Sequence, residues 1–207
     1  REGQSDDAVA RWQKVVELDT ADAQRLKPSA HYNIGRVEYD RGVAHDEKRD
    51  RKAAEAAFQR SIDRYRQALA IAPDHYKACI NLGLALIELD GDEEAAKVWM
   101  DAVRHRPECF HGNYNLALHH AQAGRYKDAI QFCKQAIAGD EGEVQPADVR
   151  AAAYYCLGEI YFDLGNLEKS AESFEESVEL DDSSANMARQ RLRAVTRLRA
   201  RQLRQNP

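Results

Sequence analysis

The sequence contains no apolar run long enough to span a bilayer, and its 207 residues are 43% hydrophobic and 31% charged. A soluble chain with enough apolar surface for a sizeable core is expected. Cysteine is sparse: Cys79, Cys109, Cys133 and Cys156 form no CxxC pair and sit inside apolar helical patterns. They read as reduced packing thiols, which favours a reducing compartment such as the cytoplasm. No phosphate-binding glycine loop, nucleophile elbow or dinucleotide fingerprint occurs, so neither catalysis nor a cofactor is expected. The first residues, REGQSDD, lack a signal-peptide pattern, and the chain does not start with Met, which reads as a piece of a longer protein. Acid is missing from the other end. Residues 183–207 hold seven arginines and no acidic residue, so residues 1–182 carry −12 against a total of −5.

What is present is helical periodicity. In the stretch from Tyr76 to Pro107, Leu82, Gly83 and Leu86 recur on one amphipathic helix and Ala95, Trp99 and Ala102 on a second, with Asp90-Gly91-Asp92 as the turn and Pro107 as the stop. Gly83 and Ala95 let the helices approach closely, and Trp99 supplies the bulk that a thin layer needs. Neither helix buries its apolar face alone. This spacing, Leu-Gly-x-x-Leu followed by Ala-x-x-x-Trp-x-x-Ala and Pro, resembles the tetratricopeptide repeat, with a period of about 34 residues. Pro73 and Pro107 are 34 apart.

The remaining segments resemble further copies. Residues 1–20 look like the second helix of a truncated repeat, with Gly3 as its turn and Ala8, Trp12 and Val15 in the register of Ala95, Trp99 and Ala102. After a linker from Ala21 to Lys27, Pro28 opens a repeat at 28–73 that carries Ile34-Gly35, Ser61, Tyr65 and Ala68. About 14 extra residues, Ala-rich and charged, are expected to lengthen its helices and make the pair project. Repeats at 74–107, 108–141 and 151–182 follow, with an acidic loop at 142–150. Residues 183–207 read as an Arg-rich capping helix with a serine at its start and with Ala188, Leu192 and Val195 covering the last repeat. The resemblance implies an all-α fold, a right-handed superhelix (α-solenoid) of antiparallel helix pairs.

In this family the first helix of each pair lines a concave groove, and the resemblance carries that role to the residues around each Leu-Gly equivalent. Asn33, Asn81 and Asn115 recur two positions before it, and each amide offers a donor and an acceptor to a peptide backbone. Solvated asparagines are the plainer reading. Ile80, Leu84 and Ile87, then Tyr114 and Leu118, then Tyr155 and Phe162 are expected on the same open face, where an apolar patch marks a protein interface. The competing reading packs them under a neighbouring segment. Tyr32, Arg36 and Lys77 at one end and Glu159 with Asp163 at the other would orient a bound segment by charge. The clamp that grips Hsp70 and Hsp90 tails is matched only at Asn81; Tyr32, Arg36, His111 and Asn115 occupy its other positions, so that ligand is not favoured.

His111, His119 and His120 lie on one helix but eight and one apart, where paired metal ligands want three or four; packed histidines and no metal are expected. The seven arginines after Ser183 have no interleaved aromatics, so nucleic acid and membrane are less favoured than a solvated cap or a contact with an acidic surface. The expected function is a non-enzymatic scaffold or adaptor that holds a peptide or helix of a partner protein. The alternatives are a regulatory or localising region of a larger enzyme, and binding of an anionic partner through the Arg-rich helix. Self-association through an exposed terminal repeat is a further expectation.

Overall fold

The computed structural model of the chain describes residues 2–139, 147–180 and 185–205, and every regular element among them is an α-helix. The helices fall into two compact units, residues 1–106 and 107–207. The first contains α1 (Glu2–Glu17), α2 (Ala21–Glu47), α3 (Arg51–Ile71), α4 (Tyr76–Ile87) and α5 (Asp92–His105). The second contains α6 (Phe110–Gln122), α7 (Tyr126–Ala138), α8 (Ala147–Asp163), α9 (Leu167–Leu180) and α10 (Ala185–Gln205). Within each unit consecutive helices pack as antiparallel neighbours, and the first helices of successive pairs also touch, α2 with α4 and α6 with α8. The fold is all-α, built of packed helix pairs.

Each pair closes on a small residue opposite an aromatic one. A Cβ on Gly83 would stand 2.1 Å from the indole nitrogen of Trp99, so the α4–α5 contact exists only because position 83 carries no side chain. Gly35 faces Tyr65 and Gly158 faces Phe174 in the same way. Around these contacts lie Leu82, Leu86, Ala95 and Ala102 in the first unit and Ala117, Cys133, Leu157 and Ile160 in the second, all buried. The four cysteines are buried, and burial pushes the Cys79 thiol up to about 11. At the α4–α5 turn the left-handed residue is Asp90, with φ 59°, rather than the glycine that follows it; Asp is among the few side chains that tolerate that region.

Several boundaries differ from the sequence reading. Ala21–Lys27 is the first part of α2 rather than a linker: the Thr20 hydroxyl accepts the Ala23 amide at 3.2 Å, Asp22 sits in the positively polarised first turn, and Ala23 is buried. Pro28 therefore lies inside the helix. Gly3 is part of α1 and no turn. Ala147–Arg150 belongs to α8, which shortens the acidic loop; residues 140–146 and the serine expected to cap the last helix lie outside the described residues. The inserted residues are helical: α2 has 27 residues and α3 has 21, against 12 and 14 in α4 and α5. Glu38, buried on α2, binds this pair together by accepting from Arg41 and from Arg60 of α3, the latter at 2.6 Å, while Arg41 also reaches Asp6 of α1. In the second unit Val195 and Ala188 of α10 are buried against Leu167, Ala171 and Phe174.

Candidate functional site

In the first unit a cavity of about 140 Å³ opens between the first helices α2 and α4. Arg36, Tyr39 and Asp40 reach it from one face of α2, Asn81 and Leu84 from one turn of α4, and Tyr65 of α3 forms part of the lining. Tyr32, one turn before Arg36, lies 6.0 Å from Tyr65 and 5.0 Å from His75 between ring centroids. Its hydroxyl accepts from the Asn81 amide at 3.4 Å, a long bond that a closer acceptor would outcompete. The Arg36 guanidinium stands 5.9 Å from the centre of the Tyr32 ring. Tyr39 donates to Glu88 at 3.1 Å, and burial together with Glu88 pushes its phenol up to about 12. Burial also raises the Tyr65 phenol. The lining thus offers neutral hydroxyls, an amide, one cation, one anion and a leucine: groups suited to hydrogen-bonding a chain segment and covering one side chain.

In the second unit the equivalent space between α6 and α8 holds a cavity of about 350 Å³. Tyr114, Leu118, Ala121 and Gln122 line it from α6, and Tyr155, Cys156, Glu159, Ile160 and Asp163 from α8. Tyr114 stacks on Phe110 at 5.6 Å, and burial pushes its phenol up to about 12. Cys156 shares a hydrogen bond with Cys133 of α7, which with burial drives the Cys133 thiol upward. Asp163 accepts the Tyr126 hydroxyl at 3.4 Å. Glu159 accepts Arg191 of α10 on Oε2, while its Oε1 is buried without a hydrogen-bond partner.

The residues singled out from sequence are thus divided. Arg36, Asn81 and Leu84 come together at the first cavity, and Tyr114, Leu118, Tyr155 and Glu159 at the second. Ile87 is 37% exposed on α4, and Lys77 and His111 are exposed on their helices, His111 edge-on to Phe110 at 5.3 Å. Asn33 and Asn115 are half-buried and line neither cavity. Ile80 is not on an open face: it is 6% exposed, because α4 is packed by both α3 and α5, and its buried stripe is wider than one helix pair requires. Phe162 also serves the interior, packing on the α9–α10 cluster with the Arg191 guanidinium 5.7 Å from its ring centre. Helices of this chain itself cover both, Ile80 fully and Phe162 in part.

Sequence reasoning missed Tyr39, Asp40, Ala121 and Gln122, although each lies three or four residues beyond a residue it named on the same helix face. Tyr65 and Ile160 carried no such signal, since both match core positions. Asn113 escaped notice too: it is buried, donating to the carbonyls of Pro107 at 2.9 Å and Cys109 at 2.8 Å, and so secures the start of α6.

Two arginines of α10 are spent within the unit, Arg191 on Glu159 and Arg199 on Glu168 at 2.6 Å. His120 packs on Phe132 at 5.2 Å and accepts from Arg125 at 3.0 Å; burial and the Arg125 charge lower its pKa. Among the described residues no group of three histidine, cysteine or acidic side chains is arranged to hold a metal, and no helix is long and apolar enough to cross a membrane.

Residues 108–183 match the family model of the tetratricopeptide repeat. The peroxisomal targeting signal receptor of Eremothecium gossypii is 31% identical over 86 residues, 42% of this chain and 15% of the receptor. The chain thus matches only about a sixth of the length of that relative. Among solved structures, MamA superposes with a TM-score of 0.66 at 18% identity, covering 89% of this chain and 92% of MamA. YrrB, described as a tetratricopeptide-repeat protein with an unusual peptide-binding site, gives a TM-score of 0.61 at 20% identity, over 93% of this chain and 84% of YrrB. At such identities the likeness establishes the fold.

Proposed function

We propose that this chain, whose residues 108–183 match the tetratricopeptide-repeat family model, is a non-enzymatic adaptor that holds a peptide or helix of another protein against the first helices of its pairs, within a reducing compartment such as the cytoplasm. One observation carries the reading: in both units a cavity opens between the first helices of successive pairs, α2 with α4 and α6 with α8, and each combines apolar side chains with hydrogen-bonding groups. Recurrence at the same place in two separate units fits a surface built for binding better than a packing defect does. In the first unit, Asn81 and Tyr32 offer donors and acceptors to a backbone and Leu84 offers apolar contact. In the second, Tyr114, Leu118 and Tyr155 supply apolar surface beside Glu159. The receptor that resembles part of this chain is named for a targeting signal, and YrrB for a peptide-binding site, which agrees with a polypeptide ligand.

The test is selection of random peptides displayed on phage against the intact chain, followed by affinity measurement on two variants, Asn81→Ala with Leu84→Glu, and Leu118→Glu. Selected peptides are expected to lose at least tenfold in affinity for one variant, with helical circular dichroism retained. Equal binding to both folded variants would contradict the proposed surface.

A further inference from the structure

We infer that a second copy of the chain docks on the outer face of α9 and α10, the arginine row of each copy lying along the glutamate row of the other. The inference is independent of the adaptor reading, since it concerns the sides of these two helices turned away from the core.

Spacing makes both rows. On α10, Arg193, Arg197, Arg201 and Arg204 stand at i, i+4, i+8 and i+11, which returns to one face of a helix. All four are exposed, whereas Ala188 and Val195 on the opposite side are buried. On α9, Glu168, Glu172, Glu176 and Glu179 repeat the same i, i+4, i+8 and i+11, with Glu175 among them. These five are exposed, opposite the buried Ser170, Phe174 and Ser177. Each row is about 16 Å long at about 1.5 Å per residue. Laid side by side, parallel or antiparallel, the two match to within one residue.

Most of these charges are left over once the unit has folded. Glu168 pairs with Arg199 at 2.6 Å, which shows an α9 carboxylate accepting an α10 guanidinium. Among the described residues, Glu172, Glu175, Glu176, Glu179 and the four arginines of the row have no ionic partner. Like charges one turn apart destabilise the helix that carries them, and an opposite row laid alongside removes that penalty. Beside the arginines, Met187 and Leu198 are 64% and 39% exposed, so the face also has apolar surface to withdraw from water.

The nearness of the two rows selects the partner. Nucleic acid or an anionic bilayer that approaches the arginines meets the glutamates of the adjacent helix, and a polycation that approaches the glutamates meets the arginines. A second copy offers both signs, each to its complement, and makes the same contact twice. Exposed ion pairs contribute little one by one and are screened by salt. The association is therefore weak and salt-dependent.

The experiment is sedimentation equilibrium on the intact chain at low and high salt, with two charge-reversed variants of unchanged helical circular dichroism. One carries Arg193→Glu, Arg197→Glu and Arg201→Glu; the other carries Glu172→Lys, Glu176→Lys and Glu179→Lys. The wild-type chain is expected to dimerise at low salt, with a dissociation constant at least tenfold higher at high salt. Each variant alone is expected to be monomeric, and their equimolar mixture to regain a one-to-one complex. Should a reversed variant lose helicity, Arg193→Gln with Arg197→Gln and Arg201→Gln takes its place and is expected to weaken the dimer at least tenfold. A wild-type chain that stays monomeric at low salt, a dimer indifferent to salt or to these substitutions, or folded reversed variants that fail to restore each other overturns the inference. Binding of a monomeric wild-type chain to phosphatidylserine vesicles or single-stranded DNA would assign the arginines to an anionic surface and overturn it too.

Discussion

The indole N–H of Trp99 donates to the main-chain carbonyl of Ile80 at 3.2 Å, across a gap that exists because residue 83 is glycine. This contact joins the two helices of the pair, and a methyl group at position 83 would displace the indole. Gly83→Ala is therefore expected to destabilise the first unit by about 1–3 kcal/mol, the usual range for overpacking, despite alanine's higher helix propensity. Urea unfolding followed by circular dichroism measures it; a gain in stability would mean that Trp99 is free to move aside.

Glu38 is the acid on which two arginines converge. Its side chain is 8% exposed, whereas Arg41 and Arg60 are 33% and 54% exposed, so both arginines remain partly hydrated when the acid is removed. Glu38→Ala is expected to cost about 2 kcal/mol, within the range for hydrogen bonds to charged groups rather than for a fully buried ion pair. Arg60→Ala should cost less, because Arg41 still neutralises the acid. Equal losses would assign the effect to helix packing instead of charge.

His31 makes stability depend on pH. Burial, with the charges of Arg64 and Lys27, lowers its pKa below the ordinary value of 6.5, and its Nδ1 has no partner. The native state therefore resists a proton that the unfolded chain accepts. The contribution is fully present above about pH 6.5 and is lost as pH falls below it. His120, lowered by burial and by Arg125, acts in the same direction. The urea midpoint is expected to drop between pH 7.5 and pH 5, and to drop less in His31→Gln. The same slope in both proteins would exclude His31 as the source.

The Arg-rich helix is held by its apolar side more than by its charges. Val195 is 1% exposed and Ala188 is as well buried, whereas the Arg199–Glu168 pair is open to solvent at 44% and 64%. Val195→Asp is expected to destabilise the second unit by about 3 kcal/mol or more, and Arg199→Ala by less than about 1 kcal/mol. A larger effect of the arginine, abolished by salt, would reverse that ranking.

The helix pairs were legible in the sequence because their apolar period is 3.6 and the glycine-to-aromatic spacing of Gly83 and Trp99 recurs at Gly158 and Phe174, and with the inserted residues between them at Gly35 and Tyr65. Periodicity describes one helix at a time, however. It placed Ile80 on an open face because the three residues of the core stripe were already assigned, without the further side of α4 that α3 covers. Phe162 is partly covered by the α9–α10 cluster, which its own helix does not reveal. The start of α2 was misread because Pro28 is a familiar first-turn residue, whereas the effective signal was Thr20 with Asp22 two positions later. Half of each cavity was visible as charges and aromatics on one helix. The other half, Tyr65 and Ile160 included, arises from how separate helices meet, which spacing along the chain does not encode.

The most direct measurement is site-specific photo-crosslinking. Benzoylphenylalanine is placed at Leu84 or Leu118, beside the two cavities, and at Lys97 or Lys134, exposed on second helices. Each protein is irradiated with a peptide selected by display. Crosslinks at 84 or 118 and none at 97 or 134 are the expected result. Crosslinks confined to 97 and 134 would place the partner on the opposite helices and contradict binding along the first helices.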